Sequence, residues 1–264
     1  MKHLALSCLL VTAAALTNAQ SFQWTKQFTG YYTKDLERDA DGNLYLVADY
    51  RNQFTCGTTN YNASTNKFVI IKYDADGNCQ WMKEMPVAHK ETAMDEQNNL
   101  YVTGIFSGTV DFDGNLLTSR GDDDIYIAKY NTGGTLVWVK QAGGPDADAV
   151  EDLAVRNGSV YITGEFGSSI QAGPNTYNAI YASADRNFYL ARFTTAGAFS
   201  WLQQAACRAG TYAWDLGADN SGNAYVTVEF GDTVSYGTVQ LDFSGSPYND
   251  MGMVKYDVAG NAVW

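Results

Sequence analysis

Acidic and basic side chains recur along this chain at intervals regular enough to suggest shared roles. Asp35, Glu91, Glu151 and Asp215 each stand ten residues before a tyrosine, namely Tyr45, Tyr101, Tyr161 and Tyr225. Lys72, Lys129, Arg192 and Lys255 recur in apolar runs such as Ile125-Tyr126-Ile127-Ala128-Lys129-Tyr130. A cation flanked by apolar residues buries its stem, and an inward charge needs a partner. The expectation is one ion pair per repeat between these two sets, with a structural role, because a group used in every repeat belongs to the scaffold. Asp49, Glu165 and Glu229 form a second set, each just before a strand-end aromatic. Three carboxylates at equivalent strand ends could surround a central opening and hold a cation or a sugar hydroxyl, or serve polysaccharide hydrolysis or lysis. The plainer alternative is solvated edge charge. Asp39-x-Asp41-x-Asn43 and Asp74-x-Asp76-x-Asn78 have the oxygen spacing of a calcium loop but lack its later bidentate Glu, and Asp-Gly-Asn already suffices as a turn. Calcium is therefore the one cofactor the spacing admits, and no metal set is assigned. The sequence contains no Gly-x-Ser-x-Gly elbow, phosphate-cradling Gly-Lys loop or His-Glu-x-x-His pair.

These residues belong to a repeating unit. Trp24, Trp81, Trp138, Trp201 and Trp264 are spaced by 57, 57, 63 and 63 residues. In phase with them run Phe68–Tyr73, Ile125–Tyr130, Phe188–Phe193 and Met253–Tyr256, short β-branched and aromatic segments bounded by Gly, Asn and Asp, which is the signature of strands. Asp41-Gly42-Asn43 and Ser221-Gly222-Asn223 join the acidic strand to the tyrosine strand as a hairpin, and glycine turns such as Asp74–Asn78 join the Lys/Arg strand to the tryptophan strand. Each unit is thus predicted to be a four-stranded antiparallel sheet in the order acidic (a), tyrosine (b), Lys/Arg (c), tryptophan (d). The fold class is all-β. Sheets recurring about every sixty residues bury their faces by radial stacking, so a β-propeller is expected rather than a β-sandwich. The units run over 24–80, 81–137, 138–200 and 201–263 within a repeat domain 20–264.

Asp-x-x-x-Asp with a Gly-Asn turn, then Tyr-Val-Thr-Gly-x-Phe, Tyr-Ile-Ala-Lys-Tyr, a Gly turn and Trp-x-Lys resembles the bacterial SBBP-type β-propeller repeat family of secreted and surface proteins. The resemblance covers 24–264, is fullest in unit two, and implies a propeller scaffold while saying little about ligand. Unit three departs from it at Val155 and Asn157-Gly158-Ser159, and unit four at Val228. The chain starts on a d strand around Trp24 and stops at Val263-Trp264, where another d strand would begin. The expectation is a fragment of a longer array, an incomplete ring, the other reading being that the first strand closes a four-bladed ring.

Residues 1–19 read as a secretory signal: Lys2, the apolar stretch Leu4–Leu16, and Thr17-Asn18-Ala19 before Gln20. The apolar run is too short to span a membrane. Without it, 16 basic residues face 29 acidic ones, a balance of −13, which argues against a nucleic-acid partner and favours solubility. Cys56, Cys79 and Cys207 remain, an odd number for an oxidising compartment, and a Cys56 to Cys79 bridge is one pairing left open. Both sets of tight turns lie at one end of the sheets, so the long b-to-c and the d-to-a connections share the other. Non-repeating aromatics, Tyr31, Tyr32, Tyr61, Tyr177, Tyr181, Tyr212, Trp214 and Tyr248, fall mostly in those connections. The expected protein is a secreted or cell-surface, non-enzymatic module binding a protein or glycan through that end. The alternatives are a polysaccharide-acting enzyme using Asp49, Glu165 and Glu229, and a structural spacer.

Overall fold

The computed structural model describes residues 33–181, 186–205, 207–243, 245 and 248–264. The expected signal segment 1–19, the strand around Trp24, and Tyr31 and Tyr32 lie outside the described residues.

The described chain is all strand and turn. Counted by sheet, so that each unit ends on the d strand that opens the next Trp-to-Trp interval, unit one contributes β1 (Thr33–Arg38), β2 (Leu44–Cys56), β3 (Thr59–Tyr73) and β4 (Cys79–Met85), antiparallel neighbours in that order. Unit two contributes β5 (Glu91–Met94), β6 (Leu100–Phe106), β9 (Asp124–Tyr130) and β10 (Leu136–Gly143), with the hairpin β7 (Thr109–Phe112) and β8 (Asn115–Thr118) between β6 and β9. Unit three repeats the pattern with β11 (Ala149–Arg156), β12 (Ser159–Phe166), β15 (Asn187–Thr194) and β16 (Phe199–Gln204), and a hairpin of β13 (Ser169–Ala172) and β14 (Asn175–Asn178). Unit four holds β17 (Thr211–Ala218), β18 (Ala224–Phe230) and β21 (Asp250–Tyr256), with the hairpin β19 (Val234–Tyr236) and β20 (Val239–Leu241). The a-b-c-d order read from the turns is the observed order in units one to three, and a-b-c in unit four.

Successive sheets pack face to face. Tyr45, Val47 and Ile70 of unit one share an apolar cluster with Leu100, Val102 and Tyr126 of unit two. Tyr101, Ile125 and Ile127 then pack on Val150, Val160 and Ile162 of unit three, and Tyr161, Phe188 and Leu190 on Val226, Val228 and Val254 of unit four. Side chains alternate between the faces of a strand, so a b strand covered on both faces is continuously apolar. That is why Leu100-Tyr101-Val102-Thr103 is buried throughout.

The tryptophan ladder latches each unit to the next. Trp81 and Trp138 donate their indole N–H to the backbone carbonyls of Thr132 and Thr195 at 3.2 Å, and Trp201 to that of Val258 at 3.0 Å. These carbonyls belong to the c-to-d turn of the following unit. The turn glycine lies on the indole: Gly197 has φ +83°, and a Cβ there would come within 3.1 Å of Trp138. Lys72 and Lys129 donate to the same carbonyls, at 3.3 and 3.1 Å.

The expected ion-pair ladder is corrected. Lys129 pairs with Asp95 at 3.2 Å and Lys72 approaches Asp39 at 3.8 Å, so the partners lie at the a-to-b turn and are not Asp35 or Glu91. Arg192, where unit three has Val155 in place of that Asp, donates to Ser159 and Ser200, and Lys255 lies over the Tyr225 ring. The turn aspartates also explain the calcium-like spacing. Asp39 Oδ1 accepts the amides of Asp41 and Asn43 at 3.1 and 2.8 Å, and Asp74 Oδ1 those of Asp76 and Asn78.

Asp35, Asp152 and Asp215 instead stitch a strands together. Each accepts the amide of its own following residue. The other oxygen of Asp35 accepts from the amide and hydroxyl of Thr92, and that of Asp152 from the amide of Leu216. The ten-residue spacing puts Glu151 in this series, but register places Asp152 opposite Thr163 as Asp35 lies opposite Val47 and Asp215 opposite Thr227. The Asn157-Gly158 turn of unit three is shorter, so the count overshoots, and Glu151 is the extra residue of a β-bulge, paired with Lys90 at 2.5 Å. Burial, with Asp215 as hydrogen-bond partner and neighbouring charge, pushes the Asp152 carboxyl up.

Cys56 and Cys79 are bridged, and Cys207 is a buried free thiol. The bridge ties the end of β2 to the start of β4, fixing the tip of the long β2–β3 hairpin to its sheet.

Candidate functional site

The end of the sheets opposite the tight turns carries an acidic cleft of about 590 Å3 in unit three. Its walls come from the d-to-a connection, Asp146 to Ala149, from the exit of β12, Glu165 to Ser168, and from Ile105, Asp123 and Arg186. Glycines let these segments meet. A Cβ on Gly144 would lie 1.8 Å from the carbonyl oxygen of Ser169, and one on Gly167 would lie 2.4 Å from Cβ of Asp146. Only hydrogen fits at either position. The connection is then pinned by its own polar groups. Asp146 Oδ2 accepts from the Ser168 amide at 2.7 Å and from the Ser168 hydroxyl, Asp148 N donates to Asp123 O at 2.8 Å, and Asp148 Oδ2 accepts from Gly144 N at 2.6 Å.

Two carboxyls here are displaced from their ordinary range. Asp148 is 2% exposed, and burial, opposed by the amides of Gly144 and Gly167 and reinforced by Asp124 and Asp146, pushes it up to about 7. Its Oδ1 makes no hydrogen bond. Glu165 is also pushed up to about 7, first by burial and then by Glu151, while the amide of Ala213, Arg186 and Lys90 pull the other way. Ala213 N donates to its Oε1 at 3.2 Å, and Arg186 approaches its Oε2 at 3.6 Å from the cleft rim. Two carboxyls poised to change charge near neutrality, in a cavity of small-ligand size, suit binding of a donor-rich group or transfer of a proton to one.

The predicted site residues do not gather as one set. Glu165 lines the cleft, whereas Asp49 is buried in unit one opposite Phe68 and Glu229 is bound in unit four by Trp214 Nε1 at 3.0 Å and Asn249 Nδ2 at 2.7 Å. Trp214 is 58% exposed because it is the extra residue of the β17 bulge, between Ala213 and Asp215 in the register. Tyr212 lies opposite Glu229 on the same strand pair, and Tyr181 stacks under Arg208 at 5.6 Å. Tyr177 and Tyr61 are scaffold residues. Tyr177 packs on Phe199 and the core between units two and three, and Tyr61 on the cluster of unit one.

The long b-to-c connections also differ from free loops. Residues 51–66 are mostly the extended β2–β3 hairpin, and each later unit folds its connection into a separate hairpin. Phe112, Ile170 and Tyr236 from these hairpins enter the cores between units, and β13 pairs onto β10 of the preceding sheet. Asp146, Asp148 and Arg186 were not singled out from sequence. The signal that pointed towards them was Gly143-Gly144-Pro145-Asp146-Ala147-Asp148, a turn-rich d-to-a connection unlike its counterpart Pro86-Val87-Ala88-His89. No family model matches this chain, and no curated protein matches it.

Proposed function

We propose that this chain is a secreted β-propeller module of the SBBP repeat type, and that it serves recognition. Three recurring features support the propeller: face-to-face sheets of the same strand order, the Trp latch from each unit to the next, and contacts between successive a strands through Asp35 and Asp152. The bridge between Cys56 and Cys79 and the signal-like residues 1–19 support an oxidising, extracytoplasmic destination. The acid-lined cleft beside Glu165 carries the functional reading, because it is a concave site with titratable groups on the end that is free of tight turns. Its ligand is a protein or glycan presented at the cell surface. Array binding by residues 20–264 should fall at least tenfold in Glu165→Gln. Undiminished binding would place recognition elsewhere.

An enzymatic reading has one observation in its favour, the paired upward displacement of Asp148 and Glu165, which would let one of them act as a general acid near neutral pH. It requires turnover of a polysaccharide panel that disappears in both Asp148→Asn and Glu165→Gln. Asp49 and Glu229 have no part in it, since neither lines the cleft.

A further inference from the structure

The acceptors in the cleft are not equally committed. Asp146 is engaged by the amide and hydroxyl of Ser168, and one oxygen each of Asp148 and Glu165 is taken by the amides of Gly144 and Ala213. Among the buried carboxyl oxygens this leaves Oδ1 of Asp148, without a hydrogen bond, and Oε2 of Glu165, which meets the rim guanidinium of Arg186 at 3.6 Å. The cleft thus sets four carboxylates, Asp123, Asp146, Asp148 and Glu165, against one lining cation.

A neutral hydroxyl could satisfy the hydrogen bonding of these oxygens but would not compensate the charge they carry when ionised. An ammonium or guanidinium does both at once, and charge-assisted bonds of this kind are about twice as strong as neutral ones. Arg186 already shows that a guanidinium is accommodated beside Glu165. From the unpaired Oδ1 of Asp148, the Oε2 of Glu165 held only by an exposed rim guanidinium, and the excess of acids over cations among the lining residues, we infer that the cleft receives the basic side chain of a protein partner. This inference rests on the recognition reading above and narrows it from protein or glycan to a lysine or arginine side chain of a protein.

Binding of such a cation favours the ionised forms of both carboxyls, so it releases protons where they are still partly protonated and strengthens as pH rises through 7. The charged groups acting on them are Asp124 and Asp146 at Asp148, and Glu151, Lys90 and Arg186 at Glu165.

The test is an amide NMR titration of the mature chain, residues 20–264, with Nα-acetyl-lysine methylamide, its arginine counterpart, the uncharged norleucine analogue, and cellotetraose. The expected result is saturable shifts from the two basic probes, clustered at Gly144, Gly167 and Ser168. These should weaken at least tenfold in Asp148→Asn, which keeps an acceptor for Gly144 N while removing the charge. Glu165→Gln should weaken them likewise, and the norleucine analogue should leave the cluster unmoved. The inference is overturned if the basic probes shift residues over the whole acidic surface alike, or if Asp148→Asn and Glu165→Gln both bind them as the parent does. Saturable shifts at the same cluster from cellotetraose alone would overturn the cationic assignment while leaving the recognition reading standing. Silence of the cluster towards all four probes would count against both.

Discussion

Replacing Lys129 by Met tests the latch between units at its best-defined point. The ammonium is nearly buried, pairs with Asp95 at 3.2 Å, donates to Thr195 O at 3.1 Å, and lies 5.0 Å from the centre of the Tyr101 ring. Met keeps the apolar stem and removes the charge. Removing one partner of a buried pair costs about 3 to 5 kcal/mol, because the other charge is left behind. Here Asp95 retains donors from the amides of Gln97 and Asn99 and from the Tyr101 hydroxyl, and Thr195 O retains the Trp138 indole. The expected loss is therefore at the lower limit, about 3 kcal/mol, or a fall of roughly 6 to 12 °C in melting midpoint for a chain of this size. The sign of the pH dependence gives a second check. Burial pushes the Asp95 carboxyl up, but its bonds from Asn99, Lys129 and Tyr101 outweigh this and hold it below its ordinary value. Its stabilisation is thus present above about pH 4 and lost as pH falls through the lowered value. Without Lys129 that hold is weaker, so the gap between parent and variant should narrow in acid. Urea unfolding followed by circular dichroism at pH 7 and pH 3 measures both quantities. A loss below about 1 kcal/mol, the range of an exposed pair, or a gap that does not narrow at pH 3, would refute the assignment.

Gly197→Ala should destabilise by more than Gly237→Ala in the same unfolding assay. Both glycines have positive φ, costing roughly 1 kcal/mol for alanine, but only at Gly197 would the methyl meet Lys140 at 2.9 Å and Trp138 at 3.1 Å, whereas Gly237 faces open space. Equal losses would mean that the turn does not press on the indole. Stability should also decline between pH 5 and pH 8. Glu37, Asp148 and Glu165 are each pushed up to about 7, chiefly by burial, so the folded chain holds more protons than the unfolded one over that window. The urea midpoint should fall with rising pH, and the double variant Asp148→Asn with Glu165→Gln should flatten the slope. A midpoint that rises instead would contradict the burial of these groups.

How far the sequence could be read depended on whether a feature was local. The a-b-c-d order followed from turns, because Asp41-Gly42-Asn43 and its counterparts dictate which strands are hairpin neighbours. The strands themselves were legible from β-branched and aromatic runs such as Phe68–Tyr73. Their continuous apolarity reflects burial on both faces, and this too is written in the residues. Folding of the b-to-c connections into hairpins was not foreseen, although Asp113-Gly114-Asn115 is the same turn chemistry found elsewhere in the chain.

Which charges meet is another matter. Lys129 and the recurring acids were visible in the sequence, but Lys129 lies opposite Tyr101, beside the a-to-b turn that holds Asp95, whereas Glu91 lies opposite Thr103, two residues farther along the strand. In unit three a one-residue difference, from the shorter Asn157-Gly158 turn and the bulge at Glu151, gives the stitching role to Asp152 and turns Glu151 towards Lys90. The latch carbonyls of Thr132, Thr195 and Val258 lie more than fifty residues from the indoles that bind them. The cleft joins a d-to-a connection to the end of a b strand and to Arg186 farther along the unit. Local propensity and turn chemistry determined the repeating strands. Only tertiary packing decided the partners, because burial and charge complementarity depend on distances in space that spacing along the chain does not specify.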